Sequence, residues 1–121
     1  MTLKKFGFFR RMPKDEAVRE LNRLRSDCAR VNESLVLAYL KGGTQLFLVP
    51  AIATDLLSDQ RRLIAPPHIY TDGEWAWSAE ALYYIEQYHI DIPTDLRVRM
   101  AEYAWVCPAV ADTSALQQSY L

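Results

Sequence analysis

Hydrophobic positions recur with two different periods along this chain, and their alternation predicts a mixture of helices and short strands. Apolar residues three or four positions apart predict a helix that begins at Pro13 and continues to about Arg30. Proline at the start and acidic residues in the first turn favour this position for the N-terminus. The apolar stripe of this helix consists of Ala17, Leu21, Leu24, Cys28 and Val31. Cys28 is therefore interpreted as a small core residue.

Shorter patterns, bounded by recognisable start and stop residues, follow this first helix. A second helix is predicted from Asn32 or Ser34 through Leu40, with Gly42 and Gly43 as its end. Short runs of β-forming residues between turn residues predict strands, and further helices begin at capping residues. The predicted strands are 44–49, 68–71 and 74–77, and residues 3–9 are predicted as a strand or an ordered arm. The later predicted helices are 78–89, 93–106 and 114–119.

Together these elements predict a helix-rich α+β fold with a small antiparallel sheet. Asp72-Gly73 between two β-forming runs predicts a hairpin, which two helices follow. The length of 121 residues suits a single domain over 1–121. In that domain, residues 1–12 are interpreted as a basic arm or edge strand and residues 109–121 as a polar tail.

Composition and charge narrow the classes of function. No apolar run approaches the roughly 20 residues of a membrane helix, and the N-terminus lacks the apolar stretch of a secretory signal. Two cysteines do not make a disulfide framework, so reduced thiols in a cytoplasmic protein are expected.

Charge is unevenly distributed along the chain. Residues 1–30 carry nine basic and four acidic residues, whereas residues 31–121 carry five basic and eleven acidic residues. This asymmetry favours either an acidic-partner face or attraction between the two halves of one fold.

Aromatic residues are concentrated between residues 70 and 88, and the pattern divides them into two groups. Alternation along the strand places Trp75 and Trp77 on one face, where they are expected to pack on the following helix. In that helix, Tyr84 and Tyr88 fall on the inner side and Tyr83 on the outer side. An outward tyrosine suits a contact with a partner protein, although a lone surface tyrosine is the commoner explanation.

Acidic residues near this tyrosine complete a predicted partner-binding surface, which would cover a basic surface of a partner protein. Its predicted contacts are Asp72, Glu74, Glu80, Tyr83 and Glu86. Charge complementarity of this kind mainly accelerates association. The helix near residues 95–106 is apolar on two sides, with Val98 and Trp105 on the second side. Such a helix is either sandwiched in the core or in contact with another chain, which leaves a homodimer open.

A nucleic-acid-associated accessory protein is the alternative function, because basic and aromatic residues together can bind phosphates and stack on bases. The residues that would act in this way are Lys4, Lys5, Arg10, Arg11, Arg19, Arg23 and Arg30. Three features weaken this alternative. Asp15 and Arg19, and likewise Glu20 and Arg23, are spaced as ordinary helical ion pairs, and the calculated pI is about 6.1.

Candidate catalytic residues are few, so a non-enzymatic protein without a metal or cofactor is expected. The chain has two histidines, and its sequence contains no paired metal-binding cysteines and no glycine-rich nucleotide loop. Glu86 and His89 are spaced as in carboxylate-bridged dimetal bundles, but the motif has no second copy. A small enzyme that pairs Cys107 with His68 or His89 remains a third hypothesis.

The most specific sequence pattern is Thr71-Asp72-Gly73-x-Trp75-x-Trp77, followed by Tyr83-Tyr84 and Tyr88. With Tyr39, Leu40, Gly43 and Asp55 before it and Pro93 after it, this order resembles small bacterial proteins of unassigned function. Some of these look like immunity proteins that inhibit polymorphic or contact-dependent toxins. The resemblance covers roughly residues 35–100 and implies a protein-binding module whose partner is a cognate toxin. It assigns no functional residues, because immunity proteins contact toxins through variable surfaces.

Overall fold

The computed structural model describes residues 3–120, which form five α-helices and one four-stranded sheet. Residues 1, 2 and 121, at the ends of the predicted arm and tail, lie outside the described residues. The elements in chain order are β1 Lys4–Phe6, a 3₁₀ turn Phe9–Arg11, α1 Lys14–Leu24, α2 Glu33–Lys41, β2 Thr44–Phe47, β3 Ile69–Thr71, β4 Trp75–Ser78, α3 Glu80–Tyr88, α4 Thr94–Glu102 and α5 Ser114–Tyr120. The prediction of an α+β fold is confirmed.

Proline and glycine residues lie at several helix boundaries. Pro13 and Pro93 immediately precede α1 and α4, with φ angles of −53° and −55° that already suit a helix. Gly42 follows α2, and its N–H donates to the carbonyls of Ala38 and Tyr39 at the helix end. These local preferences explain why the sequence predicted helices near the observed positions.

The sheet is mixed, with the strand order β1-β4-β3-β2. β2 and β3 are antiparallel, as are β3 and β4, whereas β1 runs parallel to β4 with Lys4 opposite Trp75. The expectation of an antiparallel sheet is therefore wrong for the β1–β4 pair. A long connection allows either strand direction, and the whole segment from α1 to β3 separates these two strands.

The sheet separates two apolar clusters. Trp75 and Trp77 of β4 lie in the larger cluster, with buried residues of α1 to α4. Ala76, between them in sequence, lies in the smaller cluster with Leu116 of α5. This division follows from the alternation of side chains along a strand, and it confirms that both tryptophans share one face. The predicted polar tail thus covers the second face of the sheet through an apolar contact.

The first helix ends earlier than predicted, at Leu24. Beyond it, the N–H of Ser26 donates to the carbonyl of Tyr88, 3.0 Å away, so the backbone turns towards the end of α3. Cys28 is exposed, and Val31 is 80% exposed. The interpretation of Cys28 as a core residue is therefore wrong, because the helical periodicity that suggested it does not extend so far.

The two apolar sides of α4 have different environments. Leu96 and Met100 are fully buried in the larger cluster, whereas Val98 is 52% exposed and Ala101 is also exposed. Trp105, after the helix, is half-buried against the same cluster. α4 is thus not sandwiched within this chain, and the side that carries Val98 is open. Among the described residues, no helix combines the length and apolar character needed to cross a membrane.

Candidate functional site

Asp72, the first of the predicted contact residues, is buried and only 2% exposed. Its carboxylate accepts hydrogen bonds from the Tyr39 hydroxyl at 2.5 Å and the Arg99 Nε at 2.8 Å. The N–H groups of Glu74 and Trp75 donate to its other oxygen at 2.9 and 2.7 Å. Burial, together with the bond to Asp72, raises the pKa of Tyr39. Burial lowers the pKa of Arg99, but the hydrogen bond to Asp72 and the charges of Asp72, Tyr39 and Tyr103 together outweigh this and raise it. Asp72 therefore joins α2 and α4 to the β3–β4 turn.

Glu80 is buried to the same degree, at 2% exposed. Its Oε1 accepts a hydrogen bond from the N–H of Arg10 at 2.9 Å, which attaches the 3₁₀ turn to the start of α3. Burial raises the pKa of this carboxyl, although the backbone donors oppose that shift. The expectation that Asp72 and Glu80 lie on the surface is thus wrong, because both satisfy backbone donors inside the fold.

Tyr83 is half-buried rather than fully outward, and its hydroxyl donates to Asp55, an acid that was not among the predicted contact residues. Both Tyr83 and Tyr88 donate to Oδ2 of Asp55 at 2.6 Å, while the N–H of Leu57 donates to Oδ1 at 2.8 Å. Asp55 is 2% exposed. Burial and the Asp55 bond raise the pKa of Tyr88 to about 12. The sequence signal for a buried Asp55 was its position as the single acid in the mostly apolar run Ala51–Leu57, since a charge in such a run needs partners when it is buried.

Glu74 and Glu86 are the predicted contact residues that lie at the surface. Glu74 lies 3.6 Å from Nη1 of Arg99, and Glu86 lies 3.2 Å from Nζ of Lys41. The Glu86–Lys41 pair is exposed on both sides and contributes about 0–1 kcal/mol, so Glu86 remains available to another molecule. The Glu74 side chain is itself 47% exposed, although Arg99 is largely buried.

One concave feature of the described residues is an open cleft of about 770 Å³ beside β1, which we call the Phe cleft. Its apolar lining consists of Phe6, Phe8, Phe9, Met12, Leu24 and Ile92. Gly7 brings this segment close to α3, since a Cβ there would lie 2.5 Å from the Cβ of Ala81. Ligand-binding clefts usually measure about 300–1,000 Å³ and are mostly apolar, which matches this feature.

The charged residues around the Phe cleft are not balanced. Glu20 is paired with Arg23 at 2.5 Å, and Asp91 with Arg97 at 2.8 Å. Lys5 instead lies 4.4 Å from the ring centre of Tyr120, and Arg11 donates a hydrogen bond to the hydroxyl of that tyrosine. No ion pair involving Lys5 or Arg11 occurs within residues 3–120. Within residues 3–120, the rim of the cleft next to β1 therefore carries two basic side chains, Lys5 and Arg11, that form no ion pair.

Besides Arg11, which contacts Tyr120, two arginines of the predicted nucleic-acid set have partners within the fold. Arg23 is paired with Glu20, and Arg30 donates to the carbonyls of His89 and Leu24 at 2.9 and 2.6 Å. The remaining residues of that set are exposed: Lys4, Lys5, Arg10, Arg11 and Arg19.

The candidate catalytic residues have separate hydrogen-bond partners. His68 accepts the N–H of Val49 on Nδ1 at 2.9 Å, and Nδ1 of His89 lies 2.8 Å from Glu33. The Cys107 thiol interacts with the carbonyl of Pro108, and burial raises its pKa to about 12 with a smaller contribution from the Asp72 charge. In the described part of the chain, no three His, Cys, Asp or Glu residues are grouped so that they could hold a metal ion.

Comparison of the chain with protein-family models, with curated proteins and with solved structures gave no match in any of the three.

Proposed function

We propose that this protein is a non-enzymatic protein-binding module and that the Phe cleft is its principal binding surface. The observation that carries the proposal is an open apolar cleft whose rim carries two basic side chains, Lys5 and Arg11, with no ion pair among the described residues. Half-exposed Phe8 and Met12 offer apolar surface there, and Lys5 and Arg11 offer charge. Aromatic residues, Met and Arg are enriched in the centres of protein interfaces, where a few residues contribute most of the binding energy.

The narrower proposal is an immunity-type inhibitor that occludes a toxin domain. Its support is the resemblance carried by Thr71, Asp72, Trp75 and Trp77, all of which are buried. These residues therefore support a shared type of fold rather than a contact surface. Glu74 and Glu86 are exposed and Tyr83 is half-exposed, so these three predicted contact residues offer acidic and aromatic groups that suit a basic partner.

The test is affinity capture from the native host with the tagged full chain, followed by mass spectrometry and reconstitution of any stoichiometric complex. Met12→Glu places a charge in the cleft lining and is expected to weaken the reconstituted complex at least tenfold. Lys14→Glu is the control, since Lys14 is exposed on α1 outside the cleft lining. Failure to recover a stoichiometric protein partner would contradict the proposed function.

Nucleic-acid binding is the alternative, and one observation favours it. Lys4, Lys5, Arg10 and Arg11 are exposed within one short stretch and form no ion pairs among the described residues. Binding to a labelled oligonucleotide should then weaken steeply with salt, with a slope that decreases when Arg10 and Arg11 are replaced by Gln. Absence of binding at low salt would eliminate this alternative.

A further inference from the structure

Within residues 3–120, the Phe cleft lies beside a sheet edge that has no neighbouring strand. In this part of the chain, β1 is the end strand of the sheet and pairs only with β4. The N–H of Lys4 points to β4, because it donates to the carbonyl of Glu74 at 3.0 Å. Successive N–H groups of a strand point to opposite edges, so the N–H of Lys5 faces the free edge.

Both faces of β1 contribute to the lining of the cleft, which places the cleft along this free edge. Lys5 and Phe6 are adjacent, so their side chains point to opposite faces of the sheet. Phe6 belongs to the larger apolar cluster, whereas Lys5 lies against Tyr120 of α5. A cleft lined by both residues must extend across the edge between these two faces.

We infer that the Phe cleft binds an extended, acidic and apolar segment of a partner protein, which pairs with β1 as a fifth strand of the sheet. Added strands obtain affinity from backbone hydrogen bonds and specificity from alternate side chains. The inferred segment places an apolar side chain against Phe9, Met12 and Leu24. An acidic side chain lies opposite Lys5 and Arg11. This inference rests on the proposed protein-binding function and specifies the chemistry of the partner.

Charge explains why an acidic strand is selected. Lysines on an edge strand discourage pairing with unselected strands, including β1 of a second copy of this chain. An acidic side chain opposite Lys5 converts that repulsion into a favourable cross-strand pair. Because β1 has only three residues, the backbone pairing is short, and the apolar cleft must contribute much of the affinity.

The test is a titration of the ¹⁵N-labelled full chain with capped pentapeptides, followed by amide NMR spectra. The first peptide alternates valine or phenylalanine with aspartate. The second has lysine in place of aspartate, and the third is the acidic peptide with its alternate backbone nitrogens methylated. The acidic peptide is expected to move the Lys5 amide resonance downfield and to slow its hydrogen exchange. The lysine and N-methylated peptides are each expected to bind at least tenfold more weakly.

Charge reversal provides the matched control. Lys5→Glu is expected to reverse the preference in favour of the lysine peptide, whereas Lys14→Glu, the same change outside the cleft, is expected to leave it unaltered. Equal binding of the N-methylated peptide would overturn strand pairing, and equal binding of the lysine peptide would overturn the charge selection. Absence of any change at the Lys5 amide with millimolar acidic peptide would overturn the whole inference.

The capture experiment separates this inference from the proposed function. A partner that binds the wild type and Lys5→Glu equally would refute the inference while the protein-binding function stands. Recovery of no partner, together with selective binding of the acidic peptide, would contradict the function while the chemistry of the cleft stands.

Discussion

Replacement of Asp72 by alanine should severely destabilise the fold, because four donors converge on this carboxylate. The change removes the acceptor of the Tyr39 hydroxyl, of Arg99 Nε and of two backbone N–H groups. Breaking a buried ion pair by removal of one partner costs about 3–5 kcal/mol. The Arg99 side chain is 17% exposed and can partly rehydrate, so we expect a loss of unfolding free energy at the lower end of this range, about 3 kcal/mol. That is a large fraction of the roughly 5–15 kcal/mol that stabilises a domain.

A second variant measures one of these interactions separately. Tyr39→Phe removes a single hydrogen bond to a charged group and leaves the Arg99 pair intact, so a cost of about 1.5–2 kcal/mol is expected. Since Tyr39 and Asp72 are in direct contact, the double variant should cost less than the sum of the single variants by about 1 kcal/mol or more.

Urea unfolding at pH 7, followed by the fluorescence of the buried tryptophans, is the assay. Asp59→Ala is the control, because Asp59 is exposed, and its effect should stay within about 0.5 kcal/mol. A cost below about 1 kcal/mol for Asp72→Ala would refute the reasoning. If Asp72→Ala does not fold, a cost below about 0.5 kcal/mol for Tyr39→Phe would refute it instead.

Three further predictions concern a carboxyl, a helix end and a thiol. Burial raises the pKa of Glu80 above its ordinary value of 4.5. The stability of the wild type relative to Glu80→Gln should therefore be highest below pH 4.5 and fall as pH rises through the folded-state pKa, as urea titrations at several pH values would reveal. Ala104, just beyond the C-terminal end of α4, has a φ of +53°, so Ala104→Gly should stabilise the protein by about 0.5 kcal/mol; a lower melting temperature would contradict this. Burial raises the pKa of Cys107 to about 12, so exposed Cys28 should react with iodoacetamide at pH 8 far faster than Cys107 does. Equal rates for the two thiols, measured by mass spectrometry, would contradict the burial of Cys107.

The candidate site was predicted less well than the elements around it. The sequence identified Glu74 and Glu86 as surface acids, but it also assigned Asp72 and Glu80 to that surface. Both of these carboxylates are buried against partners that are distant in sequence. For Asp72 these partners are Tyr39 and Arg99. The Phe cleft was not predicted at all, because its lining combines residues 5–12 with residues of α1 and the segment after α3.

The sequence by itself determined the local elements. Pro13, Pro93 and Gly42 act on their own backbone, and the alternation around Trp75 and Trp77 acts within one strand, so no distant contact is needed to predict them. Tertiary structure decided the rest, including the parallel pairing of β1 with β4 and the end of α1 at Leu24. It also decided which carboxylates lie inside. The physical reason is that a buried charge is tolerated only where donors from several segments converge, and that convergence exists only once the chain has folded.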